Sequence, residues 1–268
     1  MSHVPAPAEP VFELHRGSAP LLISLPHNGS QIPPELAARM QPQAREAPDT
    51  DWHVALLYSF ARELGASILV PRYSRYVVDL NRPPDDTSLY PGQNTTGLCP
   101  AVRFTGEPVY LDGQEPTPEE VAQRVDLYWR PYHENLDAEL ARIRGEHGRV
   151  VLWEGHSIKG SDLPFLFEGR LPDLNLGTSG GASCSPQLQA RLEALLAAQG
   201  DYDYVVNGRF KGGYITRHYA SPETGVQAVQ LELSQRNYMD ERSYAYDEAV
   251  AVRLQPLLER LLRACLDP

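Results

Sequence analysis

Cysteine is scarce in this chain. There are three in 268 residues, Cys99, Cys184 and Cys265, an odd number with no CxxC spacing. That excludes a disulfide framework as the source of stability and fits a reducing compartment. An excess of basic residues is also missing, and the formal net charge is −11. Nucleic acid and anionic membrane surfaces reward a basic patch, so neither is expected as a partner. A small anionic substrate held by a few local arginines stays open. No run approaches the roughly 18 apolar residues of a membrane helix. The opening MSHVPAPAEP has neither the basic nor the apolar stretch of a secretory signal. A soluble cytoplasmic protein is expected. Internal repeats and low-complexity linkers are absent too. What is present, 42% hydrophobic residues, suffices for one large domain over 1–268 with a well-buried core.

The hydrophobic pattern alternates strands with helices. Residues 1–20 read as a loose lead-in rich in Pro and Ala. LLISL (21–25), SILVP (67–71), YVVDL (76–80), RVVLWEG (149–155), DYVVNG (203–208) and VQAVQLELS (226–234) read as strands. Residues 49–65 read as a helix capped by Asp49, Thr50 and Asp51 and stopped by Gly65. A long helical region spans 117–148, with Thr117 as N-cap, Pro118 in its first turn and a break at Pro131. Further helices cover 185–200 and 247–266. The order predicts an α/β fold, a three-layer α/β/α sandwich on a mixed, mostly parallel sheet. Two stretches, 83–116 and 157–184, are too long for simple connections and read as active-site loops.

Ligands of open α/β sheets bind beyond the carboxyl ends of the strands. After the first apolar strand comes Pro26-His27-Asn28-Gly29, and after YVVDL come Asn81 and Arg82. Glu154, His156 and Ser157 follow RVVLW, and Glu232 lies near the end of the last sheet strand. Each has a plain structural alternative, such as a turn histidine or a solvated charge. Convergence on one sheet edge is what sets them apart. A catalytic zinc ion takes three ligands of His, Asp or Glu type and leaves a position for water. His27, Asp51 and His156 fill that role, and Glu232 is placed as general base. Asp49 is the alternative acidic ligand. HExxH is absent.

In this order the motifs SLPHNG, DTDWHVALLY, VVDLNRPPDD, LYPG, YWRPYHENL, EGHSI, GRFKGGYITRHY and LELSQRNYM resemble the N-formylglutamate amidohydrolase family of histidine degradation. That family is similar in fold to the zinc carboxypeptidases. The resemblance runs from about Leu22 to Met239 and implies hydrolysis of N-formyl-L-glutamate to formate and L-glutamate. It implies metal binding at His27, His156 and Asp51, with Glu232 as catalytic carboxylate and Asn81 and Arg82 as holders of a substrate carboxylate. The substrate carries two carboxylates, and an arginine fork matches a carboxylate bidentately. Arg209, Lys211 and Arg217, beside Gly212-Gly213, are the expected second set of donors. His133 is open between orienting a ligand, facing the pocket and a structural role and stays outside the core set, and His53 should point away from Asp51. The glycine-rich 176–184 lacks a phosphate loop's lysine.

Three other readings compete. A cell-wall amidase of the same architecture would need export and an open cleft. A non-catalytic binder of acidic amino acids has no use for Glu232 or paired histidines. A cysteine hydrolase needs a His-paired, electropositive cysteine, and nothing marks one.

Overall fold

The computed structural model describes residues 4, 6, 7, 9–89 and 92–267. Tyr90 and Pro91, the centre of LYPG, and part of the lead-in lie outside the described residues. In chain order the elements are β1 (Phe12–His15), β2 (Leu21–Ser24), the one-turn helices α1 (Pro34–Ala37) and α2 (Val54–Leu57), and β3 (Ser67–Pro71). Then come α3 (Pro118–Arg124), α4 (Arg130–His147), β4 (Val150–Ile158), β5 (Leu174–Gly177), α5 (Pro186–Ala197) and β6 (Tyr204–Val206). The chain ends with α6 (Tyr214–Tyr219), β7 (Val226–Ser234) and α7 (Glu248–Leu266).

The seven strands form one sheet in the order β1-β3-β2-β4-β7-β5-β6. The β2–β3, β2–β4, β4–β7 and β5–β6 pairs are parallel, and only β1–β3 and β5–β7 are antiparallel. Strand periodicity sends alternate residues to opposite faces. On one face Leu21, Ile23, Val151, Trp153, Val229 and Leu231 pack with Leu57, Leu188, Leu192, Leu254 and Leu258 from α2, α5 and α7. On the other, Leu22, Val150, Leu152 and Ala228 pack with Leu136, Leu140 and Ile143 of α4. The expected α/β sandwich follows from these two apolar layers. The longer helices start where side chains supply the missing acceptors: Thr117, Ser185 and Asp247 each accept from a backbone N–H three residues on. Such caps are worth about 1 kcal/mol each. No helix of the described residues is long and apolar enough to cross a membrane.

Several elements differ from the sequence reading. The lead-in contains β1, and the 157–184 stretch contains β5. YVVDL is not a strand. It is a buried irregular segment whose Tyr76 and Val77 carbonyls accept from Arg124 Nη1 at 3.3 and 3.0 Å. A side chain from α3 thus satisfies acceptors that a neighbouring strand would otherwise take. The 49–65 helix is reduced to α2 and a 3₁₀ turn at Ser59–Arg62. His53, at φ 62°, is left-handed, and Asp49–Asp51 do not cap it. Pro131 does not break its helix: a π turn at Val125–Trp129 joins α3 to α4, which absorbs the misfit of a proline in the helical ladder. Strand β4 runs on to Ile158, so Glu154 and His156 lie inside it.

Candidate active site

The site forms where β2, β4 and β7 end on the α4 face. Parallel register makes His156 of β4 the direct neighbour of Glu232 of β7, and Glu154 that of Gln230. Both pairs are even-numbered and share the face carrying Val150 and Leu152. His27 arrives from the turn after β2. The Asp51 N–H donates to the His27 carbonyl at 3.0 Å, and Asn28 Oδ1 accepts from Ala55 N at 2.9 Å. The Pro-His-Asn-Gly turn is thereby tied to the chain that carries Asp51. Gly29 is required there, because a Cβ would lie 2.3 Å from the Tyr73 carbonyl oxygen.

His27, Asp51 and His156 are all buried, and each brings one ligand atom within 4.8 Å of the others. Asp51 Oδ2 lies 3.8 Å from His27 Nδ1 and 3.1 Å from His156 Nδ1. The opposite ring nitrogens meet carboxylates: His27 Nε2 is 2.7 Å from Asp79 Oδ1, and His156 Nε2 is 3.4 Å from Glu154 Oε2. An N–H given to an outer carboxylate leaves Nδ1 as the free lone pair, the arrangement that orients metal-binding histidines. His156 Nε2 also lies 3.1 Å from Asn81 Nδ2; as an acceptor it takes Asn81, as a donor it serves Glu154. The two rings are 4.9 Å apart.

The electrostatics ask for a cation. Burial would lower the His156 pKa, but the hydrogen bonds to Asp51 and Glu154 outweigh it and raise it well above the usual value. Burial, and then the Arg75 charge, lower that of His27. Asp79 is held well below the carboxylate range, since Arg75 and His27 overcome the cost of its burial. The Glu232 carboxyl, with no donor in reach among the described residues, is pushed up to about 8 by burial. Two imidazoles and a carboxylate, backed by two more carboxylates, are a donor set that fits a divalent metal.

His27, Asp51, Asp79, His156 and Glu232 line a solvent-open cavity of about 640 Å³ with Arg75, Arg82, Asn81, Arg209, Phe104 and Gln230. Residues 19–239 match the N-formylglutamate amidohydrolase family. The chain belongs to that family. It is 52% identical to N-formylglutamate deformylase of Pseudomonas aeruginosa and 49% identical to that of Pseudomonas putida, in each case over 96% of both chains. Among solved structures it is similar to N-formylglutamate amidohydrolase from Ralstonia eutropha JMP134, with a TM-score of 0.81 and 25% identity, covering 95% of this chain and 96% of that one.

Of the candidate site residues of the sequence, His27, Asp51, His156, Glu232, Asn81, Arg82 and Arg209 meet at this cavity. Asn81 Oδ1 accepts from Ile215 N at 2.8 Å, which turns its amide nitrogen toward His156. Arg82 Nε lies 4.0 Å from Asp79. Arg209 donates to the carbonyls of Leu166 and Asn94, so it also fastens the 83–116 loop. Lys211 and Arg217 are exposed and lie outside the cavity lining. Arg217 bonds the Gly212 and Leu89 carbonyls instead. Asp49 does not join the ligand group; it bonds Tyr76 and Phe104. His133 lies outside the cavity lining: its ring bonds Tyr219 Oη and the Leu80 carbonyl and stacks 3.7 Å from Trp129. His53 bonds the Tyr244 carbonyl, away from the site. Arg75 and Asp79 were not singled out by sequence, and Glu154 was noted without a role. Asp79 stands in the VVDLNRPPDD motif, and nothing in the sequence marks Arg75.

Proposed function

We propose that this cavity hydrolyses the formyl amide of N-formyl-L-glutamate, releasing formate and L-glutamate, as a step of histidine degradation. The observation that carries the reading is the buried His27–Asp51–His156 group beside Glu232 in a cavity lined by three guanidinium groups. His27, Asp51 and His156 would hold one divalent metal, and zinc suits their donor types. When bound, the metal supplies Lewis acidity to the formyl carbonyl and to water.

The protein's own groups do the rest. Asp79 and Glu154 fix the two imidazole rings. Glu232, adjacent to His156 in the sheet, is the base that takes a proton from water and passes it to the departing amine nitrogen of glutamate. Its burial favours this exchange, because a carboxylate without donors holds a proton more readily than one in water. Arg82 and Arg209 face the substrate's two carboxylates, with Asn81 beside Arg82 in the cavity lining. An acidic protein can still hold a dianion when its cations are concentrated in one recess.

The deciding experiment supplies purified protein with N-formyl-L-glutamate with and without a chelator. Formate release that stops on chelation and returns with one divalent ion per chain is expected. Turnover indifferent to chelator would overturn the metal reading. Specificity is checked with Arg82→Ala against N-formyl-L-glutamine and the α-amide of N-formyl-L-glutamate. Losing a largely buried charged contact costs about 2–5 kcal/mol. The variant should therefore lose the preference for one of the two carboxylates over its amide. Unchanged discrimination against both amides would make Arg82 a structural charge.

A further inference from the structure

Asp49 has the right residue type and nearly the right spacing for a metal ligand, yet it serves a different wall of the cavity. It is buried, and its Oδ2 accepts from Tyr76 Oη at 2.6 Å and from the Phe104 N–H at 2.8 Å. The second bond pins the 83–116 stretch at Phe104. The Phe104 ring lies against the Arg75 guanidinium, 4.6 Å from Cζ to the ring centre. Arg75 Nη2 donates to Asp79 Oδ2 at 2.6 Å, while its buried Nε has no hydrogen-bond partner among the described residues.

Phe104 is also a partition. It lines the catalytic cavity and a second recess of about 600 Å³ that Asp49, Arg103 and Lys159 border. Without an acceptor for its N–H, the segment has space on that side into which it can shift. The guanidinium would then lose the ring that limits its orientation, since a cation over an aromatic face is held by the ring's quadrupole.

We propose that Asp49 is a positioning residue: it locks Phe104 into the partition, and Phe104 keeps the Arg75 guanidinium turned to the cavity, where it adds a third positive charge beside Arg82 and Arg209 for the bound anionic substrate. This rests on the reading of the cavity as a site for N-formyl-L-glutamate. Asparagine at position 49 keeps an acceptor oxygen for both donors, and alanine does not.

The test compares Asp49→Ala, Asp49→Asn and Phe104→Leu for metal content, kcat and KM. Asp49→Ala should raise KM about tenfold while kcat stays within about threefold, the pattern of lost ground-state binding. Asp49→Asn should restore KM to within about twofold of wild type. Phe104→Leu keeps the N–H but removes the aromatic face, so KM should rise as in Asp49→Ala. The double variant should be no worse than the worse single one, because the two act through one contact. Metal content should match wild type throughout. Loss of metal in Asp49→Asn would make Asp49 a ligand and overturn the proposal. So would an unchanged KM in Phe104→Leu, a variant that stays informative if Asp49→Ala does not fold. A wild-type protein inactive on N-formyl-L-glutamate would sink the substrate reading instead. Calorimetric binding of L-glutamate to the same variants would then read Arg75's hold on an anion, with weaker binding in Asp49→Ala and Phe104→Leu supporting the clamp and equal binding refuting it.

Discussion

Glu232 and Glu139 are both buried glutamates, at 7% and 1% exposure, and their surroundings are opposite. Glu139, on α4, receives hydrogen bonds from Ser67 Oγ at 2.7 Å and Arg142 Nη2 at 2.6 Å, with Arg16 at 3.3 Å. Burial pushes its pKa up, but the Arg142 and Ser67 bonds prevail and the net shift is downward. Glu232 has no such donors among the described residues, and burial carries it up to about 8. A carboxylate that anchors a fold is surrounded by donors. The proposed base is left without them, which suits a group meant to pick up and release a proton, at a cost in stability that the rest of the core absorbs.

The sharpest way to break this contrast is Glu232→Gln. The amide keeps the shape and removes the basicity. Metal should remain bound, and turnover should fall about 10²–10⁴-fold. Thermal stability should not fall, since the substitution removes a buried carboxyl without hydrogen-bond donors. Near-normal turnover would mean that another group takes the proton.

The complementary experiment removes a partner from a structural carboxylate. Glu120 is buried on α3 between Arg124, itself fully buried, and Arg39. Arg124 also holds the irregular 76–77 backbone. Arg124→Met leaves Glu120 short of a partner and should cost about 3–5 kcal/mol in denaturant unfolding. Metal bound per folded chain should stay near wild type. A loss below 1 kcal/mol would show that Arg39 and water suffice for Glu120.

The same contrast explains what could be read from sequence. The apolar runs of β2, β4 and β7, and the polar residues His156 and Glu232 that interrupt two of them, are written in residue order, so the sheet and the edge where these candidates meet were legible. Asp51 could not be separated from Asp49, because both precede α2 by a few residues and only folded contacts, the Asp51 N–H on the His27 carbonyl and the Ser157 N–H on Asp51 Oδ2, fix which one faces the histidines. YVVDL has the composition of a strand, and its fate was decided by Arg124, some 47 positions away in the chain. Lys211 and Arg217 were chosen by charge, which carries no information about the side of a loop from which a side chain leaves. The orienting carboxylates Asp79 and Glu154 stand next to better-marked residues, and only the folded geometry gives them partners.

The smallest expected effect, and the cleanest in sign, is at Glu139. Its folded-state pKa lies below the ordinary glutamate value of 4.5, so the folded chain prefers the ionised form. That contribution to stability is fully present above pH 4.5 and is lost as pH falls through the lower folded value. Glu139→Gln cannot ionise and lacks it at every pH. Hydrogen bonds to charged groups contribute more than neutral ones, but Arg142 is partly exposed, at 27%, and solvent screens its share. A difference of about 1–2 kcal/mol at pH 7 follows. Urea unfolding at pH 7, 5, 4 and 3 should show wild type more stable by that amount at the upper two values, with the gap closing at the lower ones. Glu232 cannot produce this closing gap, because it is present in both proteins and its shift has the opposite sign. A gap that stays constant from pH 7 to pH 3 would mean that Glu139 acts through shape and packing against Ser67, and that its charge is not what the donors around it were selected to hold.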